Sequence, residues 1–230
     1  MSTRSDLLTS AEVLLRTKGY AAFSYADLAD DIGIKKASIH HHFPTKEGLA
    51  IAIVESYLFR FKKQLEAIND KHVSVVDRLN AFALMFAQSS LNGMLPLCGA
   101  LAAELLALPE SLKEMTKDFF EIHLTWLQAN IKQGQDRGEL KADLDVIRVS
   151  RYILNTLEGA SFVSWAMSDD YEKSSGFDLI LSTFVTENSS KHIYRLHRCI
   201  PFSGGIFHRC IFSTSFNSFS IWSPAKSRRP

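Results

Sequence analysis

Lys35-Lys36-Ala37-Ser38 opens a short segment that runs on through Ile39, His40, His41 and His42 to Phe43. Two ammonium groups followed by two small residues suit a helix whose first turn must come close to phosphates and base edges. His40 and His41 add ring N–H donors on the outward side. Ile39 and Phe43, four residues apart, are placed to face inward together. By itself a Lys-Lys pair reads as a solvated helix face, so its weight depends on what surrounds it. Three consecutive histidines cannot converge on one metal ion, because neighbouring helical residues point about 100° apart; outward contacts from His40 and His41 with a packed His42 are expected instead. No metal site and no cofactor is expected. The chain offers no phosphate-cradling Gly loop and no nucleophile motif, so a non-enzyme is expected.

The elements that must position this segment follow from periodicity. Leu8, Ala11 and Leu15 recur at helical spacing, and Gly19 ends that helix. Ser24-Tyr25-Ala26-Asp27 has the form of a capping box and starts a second short helix that runs to about Ile32, broken by Gly33. Segment 35–43 then makes two short helices joined by a Gly turn, with an earlier helix to pack on: a helix-turn-helix whose second member reads the major groove. Leu28, Ile32, Ile34, Ile39 and Phe43 supply its anchors. Thr45 caps a long amphipathic helix carrying Leu49, Ile53, Tyr57, Leu58, Phe61, Leu65 and Ile68. Further helical runs are predicted at about 74–91, 95–107, 110–134 and 143–168, with a shorter one near 176–187. They are separated at Asn92-Gly93, Pro96, Pro109 and Gly134 to Gly138. No strand alternation interrupts residues 1–187. The fold class is all-α, about nine helices in total.

Composition limits the partners. The 230 residues are 46% hydrophobic and 22% charged, with a net charge of +1. That +1 averages two unlike parts. Residues 1–187 hold 19 Lys and Arg against 25 Asp and Glu, a balance of −6; residues 188–230 hold 7 basic residues and no acid, a balance of +7. A body of −6 binds nucleic acid only through a local basic patch. No apolar run reaches the ~20 residues of a membrane span, and the amino terminus lacks the apolar core of a secretory signal, so no membrane partner and a cytoplasmic location are expected. Cys98, Cys199 and Cys210 are too few for a disulfide scaffold. Residues 188–230 interleave Ser and Phe without helical period and repeat His-Arg-Cys-Ile at 197–200 and 208–211. They read as an atypical, disordered basic tail, or as the product of a reading frame shifted near codon 188. A zinc site at His197, Cys199, His208 and Cys210 lacks a folded context.

Residues 4–50 resemble the DNA-binding domain of the TetR family of bacterial transcriptional regulators. Leu7-Leu8 with Gly19-Tyr20 resembles its first helix, and Ala26-Asp27-Leu28-Ala29 with Ile32-Gly33-Ile34 its second helix and turn. The run Lys35 to Leu49, with Phe43-Pro44 and Lys46-Glu47 in order, resembles its third helix and the start of the fourth. The resemblance implies a DNA-binding domain over 1–46, with contacts at Ser24, Lys35, Lys36, Ala37, Ser38, His40, His41 and Lys46. Lys36 and Ala37 approach bases or flanking phosphates, Ser38 and His40 bind phosphate oxygens, and His41 reads the groove. Lys46 binds phosphate jointly with its helix dipole. Two departures stand out. His40 replaces the family's usual aromatic hydroxyl, adding a pH dependence near neutrality. Ala37 replaces the common Gly, offering a methyl to thymine.

For 47–187 the resemblance implies a helical ligand-binding and dimerisation domain. The candidates for a small organic effector are Met85, Cys98, Phe119, His123, Trp126, Asn155 and Phe162. Each also reads as ordinary core, and Cys98 beside Leu97 and Gly99 reads as an inert thiol as well as a sensor. For a homodimer interface the candidates are Val149, Ile153, Leu157, Ala160, Trp165, Ile180 and Phe184, with the alternative that the same stripes face their own core. The implied function is a ligand-responsive regulator, most simply a repressor, that binds a near-palindromic operator in double-stranded DNA as a homodimer and is released by its effector. The competing reading is a helical ligand-binding or enzymatic protein whose head is a relic.

Overall fold

The chain folds as helices at nearly every segment where the periodicity predicts one. The computed structural model describes residues 4–168, 171, 175–187 and 189, all within one compact unit, 1–194. Nine α-helices lie among them: α1 (Arg4–Lys18), α2 (Tyr25–Ile32), α3 (Lys36–His42), α4 (Lys46–Lys71), α5 (Val75–Leu91), α6 (Leu97–Ala103), α7 (Glu110–Asp136), α8 (Val146–Met167) and α9 (Phe177–Phe184). No strand is present among the described residues, only an isolated bridge between Leu140 and Val185. The all-α class is therefore observed. The tail reading for 188–230 lies, apart from Ser189, outside the described residues.

Local chemistry sets the helix ends. The Ser24 oxygen accepts from Asp27 N while Asp27 Oδ2 accepts from Ser24 N at 2.7 Å, the reciprocal box expected from the sequence. Gly33, at φ +75°, closes α2 in the left-handed region, its N–H donating to Ala29 O. Thr45 and Asp145 cap α4 and α8 through side-chain oxygens. One segment departs from expectation. The run predicted over 95–107 is a helix only to Ala103. Tight bonds from Glu104 N to Leu101 O and from Ala107 N to Glu104 O then wind Leu105–Ala107 into a 3₁₀ turn.

The first three helices pack on the start of α4 around Leu7, Ala11, Leu15, Phe23, Leu28, Ile39 and Leu49, all inaccessible to solvent. Leu8 sits at the margin of that stripe instead of at its centre. The second half of the molecule packs α5, α7 and α8 together, with α4 and α6 across them. Phe82, Phe119, Leu127, Ile153 and Leu157 fill that contact. Helix α4, 26 residues and so about 39 Å long, belongs to both halves. Its Leu49 faces the head and its Leu65 the body.

Candidate nucleic-acid interface

Helix α3 spends one residue on the core and turns the rest outward. Ile39 is fully buried, whereas Lys36, Ala37, Ser38, His40 and His41 are exposed, as is Lys35 just before them; His42, expected to pack, is exposed too, because Ile39 and Phe43 take the inward positions. Two bonds hold this short helix in place. Phe43 N donates to Ile39 O, and the Tyr25 hydroxyl on α2 donates to Phe43 O at 2.8 Å. The His40 ring meets the Tyr25 ring edge-on, with centroids 4.8 Å apart. In the same first turn of α2, Lys18 Nζ donates to Asp27 Oδ1 at 2.7 Å, and this bond holds the Asp27 carboxyl well below the usual carboxylate range.

Four of the eight residues expected to touch DNA line one groove of about 370 Å³: Ser24, Lys36, His40 and Lys46, with Phe23 and Tyr25 beneath. Ser24 contributes less than expected, because its hydroxyl is already engaged with Asp27 in the capping box. Lys46 opens α4. Its ammonium donates to Ala21 O at 3.3 Å and lies 4.7 Å from the Phe23 ring and 4.9 Å from the Tyr20 ring. Burial against those rings lowers its pKa, which the carboxylates of Glu104 and Asp27 oppose. Lys35, Ala37, Ser38 and His41 stand exposed outside the groove on the same short segment.

Two residues that the sequence reading passed over fasten this head to the body. Arg16 of α1 is buried. Its Nε donates to Leu95 O at 2.8 Å, Nη2 donates to Ser89 Oγ at 2.9 Å, and Nη1 pairs with Glu12 at 3.2 Å. The available signal was a lone basic residue beside Leu15 on an otherwise apolar stripe. Glu104, just past α6, accepts from Ala21 N at 3.3 Å, and its carboxylate lies where a side chain on Gly19 would project, 2.7 Å from that Cβ position. Gly19 is favoured by its φ of +88°; the Glu104 carboxylate, at the end of a flexible side chain, would have to shift for a β-carbon.

The expected pocket residues do not form one site. Phe119, His123 and Trp126 gather on α7 in an aromatic cluster. His123 lies 4.3 Å from Phe61 and 4.9 Å from Phe119, and Trp126 stacks on Phe82 at 5.1 Å. His123 Nδ1 is 2.8 Å from Phe119 O, a carbonyl that can only accept, so this nitrogen carries the proton. Burial lowers the His123 pKa to about 4. Met85 is half-buried at the margin of this core. Cys98 lies apart on α6, its thiol donating to Glu158 Oε1 at 2.9 Å, and the Phe162 ring flanks Gly99 beside it. Burial pushes the Cys98 thiol well up and the Glu158 carboxyl up to about 7, so Cys98 has the electrostatics of an inert thiol. Asn155 is a correction: it is exposed on the outer face of α8 and lines neither cluster.

The interface candidates need correction too. Val149, Ile153, Leu157 and Ala160 are buried within the single chain, because they form the stripe of α8 that packs on α5 and α7. Trp165 is 50% exposed; Tyr152, Val163 and Met167 are exposed too, on another face of α8. Ile180 and Phe184 of α9 are half-buried. Phe184 meets Tyr152 edge-on at 6.2 Å, and Leu179 beside them is exposed.

Comparison with known proteins agrees with this architecture. The family described as bacterial regulatory proteins, tetR family, matches residues 7–53, and the tetracyclin repressor-like C-terminal domain matches residues 75–173. The nucleoid occlusion factor SlmA of Marinobacter nauticus is 26% identical over 163 residues, 69% of this chain and 81% of that protein. The HTH-type transcriptional repressor KstR2 of Mycolicibacterium smegmatis is 27% identical over 157 residues, 67% and 76% of the two chains. A TetR-family transcriptional regulator from Agrobacterium tumefaciens superposes with a TM-score of 0.75 at 26% identity, covering 79% of this chain and 97% of its own. A TetR regulator from Legionella pneumophila does so at 0.71 and 26%, covering 80% and 98%. The chain therefore belongs to the TetR family of bacterial DNA-binding transcriptional regulators.

Proposed function

We propose that the protein is a ligand-responsive repressor of the cytoplasm that binds a near-palindromic operator as a homodimer and leaves it when a small organic effector occupies the helical body. In this reading residues 1–46 find the DNA, and residues 47–187 dimerise and bind the effector. The observation that carries it is the convergence of Lys36, His40 and Lys46 on one groove, beside a helix that buries only Ile39. A relic head would have no need to keep two ammonium groups and an imidazole on a shared surface of an otherwise acidic body. Dimerisation is supported by large apolar side chains left exposed on α8 and α9: Tyr152 and Val163 on one face of α8, Trp165 on another, and Leu179 on α9. Release is a population shift: the effector binds more tightly to a state whose two reading helices are wrongly spaced for successive major grooves. A coupling of about 1–3 kcal/mol changes operator affinity several-fold to a hundredfold.

The test is the salt dependence of binding to duplex DNA. Each lysine that neutralises a phosphate adds close to one unit to the slope of log affinity against log salt. Lys36→Ala and Lys46→Ala should each lower that slope by about one, with helix content unchanged by circular dichroism. An unaltered slope in both variants refutes the assignment.

A further inference from the structure

Helix α3 has little of its own to hold it. It is seven residues long, well below the ~12–15 at which an isolated helix becomes stable, and Lys35 before it contributes no side-chain cap. Burial of Ile39 and Phe43 sets its depth against the core but not the direction of its exposed side chains. One residue of the neighbouring helix touches both the end of α3 and a member of its outward side. This is Tyr25, which opens α2 and is 7% exposed. The box between Ser24 and Asp27 fixes its place, with Lys18 bonded in turn to the Asp27 carboxylate. Its hydroxyl donates to Phe43 O at 2.8 Å, a carbonyl beyond the last turn of α3. Its ring stands at 61° to the His40 imidazole, centroids 4.8 Å apart. Both rings line the groove that also holds Lys36 and Lys46.

We infer that Tyr25 is the positioning residue for His40: anchored through its hydroxyl, it holds the imidazole in one orientation at the groove before DNA arrives. An exposed histidine otherwise samples several rotamers. Ordering such a side chain at an interface weakens association by about two- to tenfold. Tyr25 removes that penalty when the chain folds, and leaves the imidazole set to donate to a phosphate oxygen beside the two ammonium groups. Tyr25 does not contact the DNA itself in this arrangement, because its ring is buried and its hydroxyl is engaged by Phe43 O. The role rests on the assignment of His40 to the DNA surface proposed above.

A double-mutant cycle on the full chain tests it, read as fluorescence anisotropy of a labelled mixed-sequence duplex at one low salt concentration. Tyr25→Phe keeps the ring without the hydroxyl. Tyr25→Leu removes the ring as well, so the difference between the two isolates the ring. With His40 in place, the Leu variant should bind about two- to tenfold more weakly than the Phe variant. In chains that also carry His40→Ala the two should bind equally, and His40→Ala alone should weaken binding by at least the same factor. Equal weakening with and without His40 makes the ring a general support of α3 and overturns the inference. No difference in either case, or an unaltered affinity in His40→Ala, overturns it too. Tyr25→Met takes the place of the Leu variant if circular dichroism shows lost helix. Failure here is separable from failure of the DNA surface. Unaltered salt slopes in Lys36→Ala and Lys46→Ala refute that surface, whereas lowered slopes with Tyr25 and His40 uncoupled leave it standing and remove the role of Tyr25.

Discussion

Glu158→Gln should make the protein more stable above neutrality and more sensitive to acid. Two groups in the body titrate in opposite senses. The buried Glu158 carboxyl is raised from 4.5 to about 7, so the native state holds its proton where the unfolded chain has lost it. The stability it contributes is complete below pH 4.5 and is lost as pH rises through 7. His123 is lowered from 6.5 to about 4, so its contribution is complete above pH 6.5 and is lost as pH falls through 4. Each shift spans some 2.5 units, and at about 1.4 kcal/mol per unit each is worth about 3 kcal/mol. Between pH 4.5 and 6.5 the two slopes have opposite sign and cancel. Glutamine keeps the shape and an acceptor for Cys98 but removes one slope. The variant should therefore gain up to about 3 kcal/mol over the parent at pH 8, roughly 6–12 °C in melting temperature for a domain of this size, and nothing at pH 4.5. Thermal unfolding of both proteins from pH 4.5 to 8, at one fixed protein concentration, reads the difference. A stability difference that stays constant across this range would falsify the claim that burial holds Glu158 protonated.

Two further outcomes are expected. Gly19→Ala combines a φ of +88° with a Cβ 2.7 Å from the Glu104 carboxylate, and should cost about 1–3 kcal/mol in urea unfolding. Adding Glu104→Ala should recover the steric part, so additive losses in the double variant would refute the contact. Trp165→Lys places a charge on the exposed outer side of α8 and should shift sedimentation from dimer to monomer with helix content retained; an unchanged dimer excludes this face.

The head could be read from the chain because each of its steps is local. The Ser24 box, the Gly33 turn and the four-residue spacing of Ile39 and Phe43 involve neighbours only, and hydrogen bonds between near residues leave their mark in spacing. The body was less readable. Helix α8 has apolar residues on more than one side, and periodicity alone does not say which stripe meets α7. Ile153 and Leu157 were expected at an interface but fill the core, while Tyr152 and Trp165 are exposed. Asn155 moved outward for the same reason. Arg16 escaped notice because its partners, Ser89 and Leu95, lie more than seventy residues away in the sequence.

The amino-acid order alone determined that this chain is helical throughout residues 4–187 as far as they are described, where most of its helices begin and end, and which short segment is basic and outward. Those properties depend on backbone sterics and on contacts within a turn or two. Which side chains meet across helices was decided by the tertiary structure: the gathering of Ser24, Lys36, His40 and Lys46 at one groove, the pairing of Cys98 with Glu158, and the edge-on meeting of Tyr25 with His40. Such meetings depend on how whole helices pack, a choice made by the summed fit of many apolar surfaces and recorded at no single position.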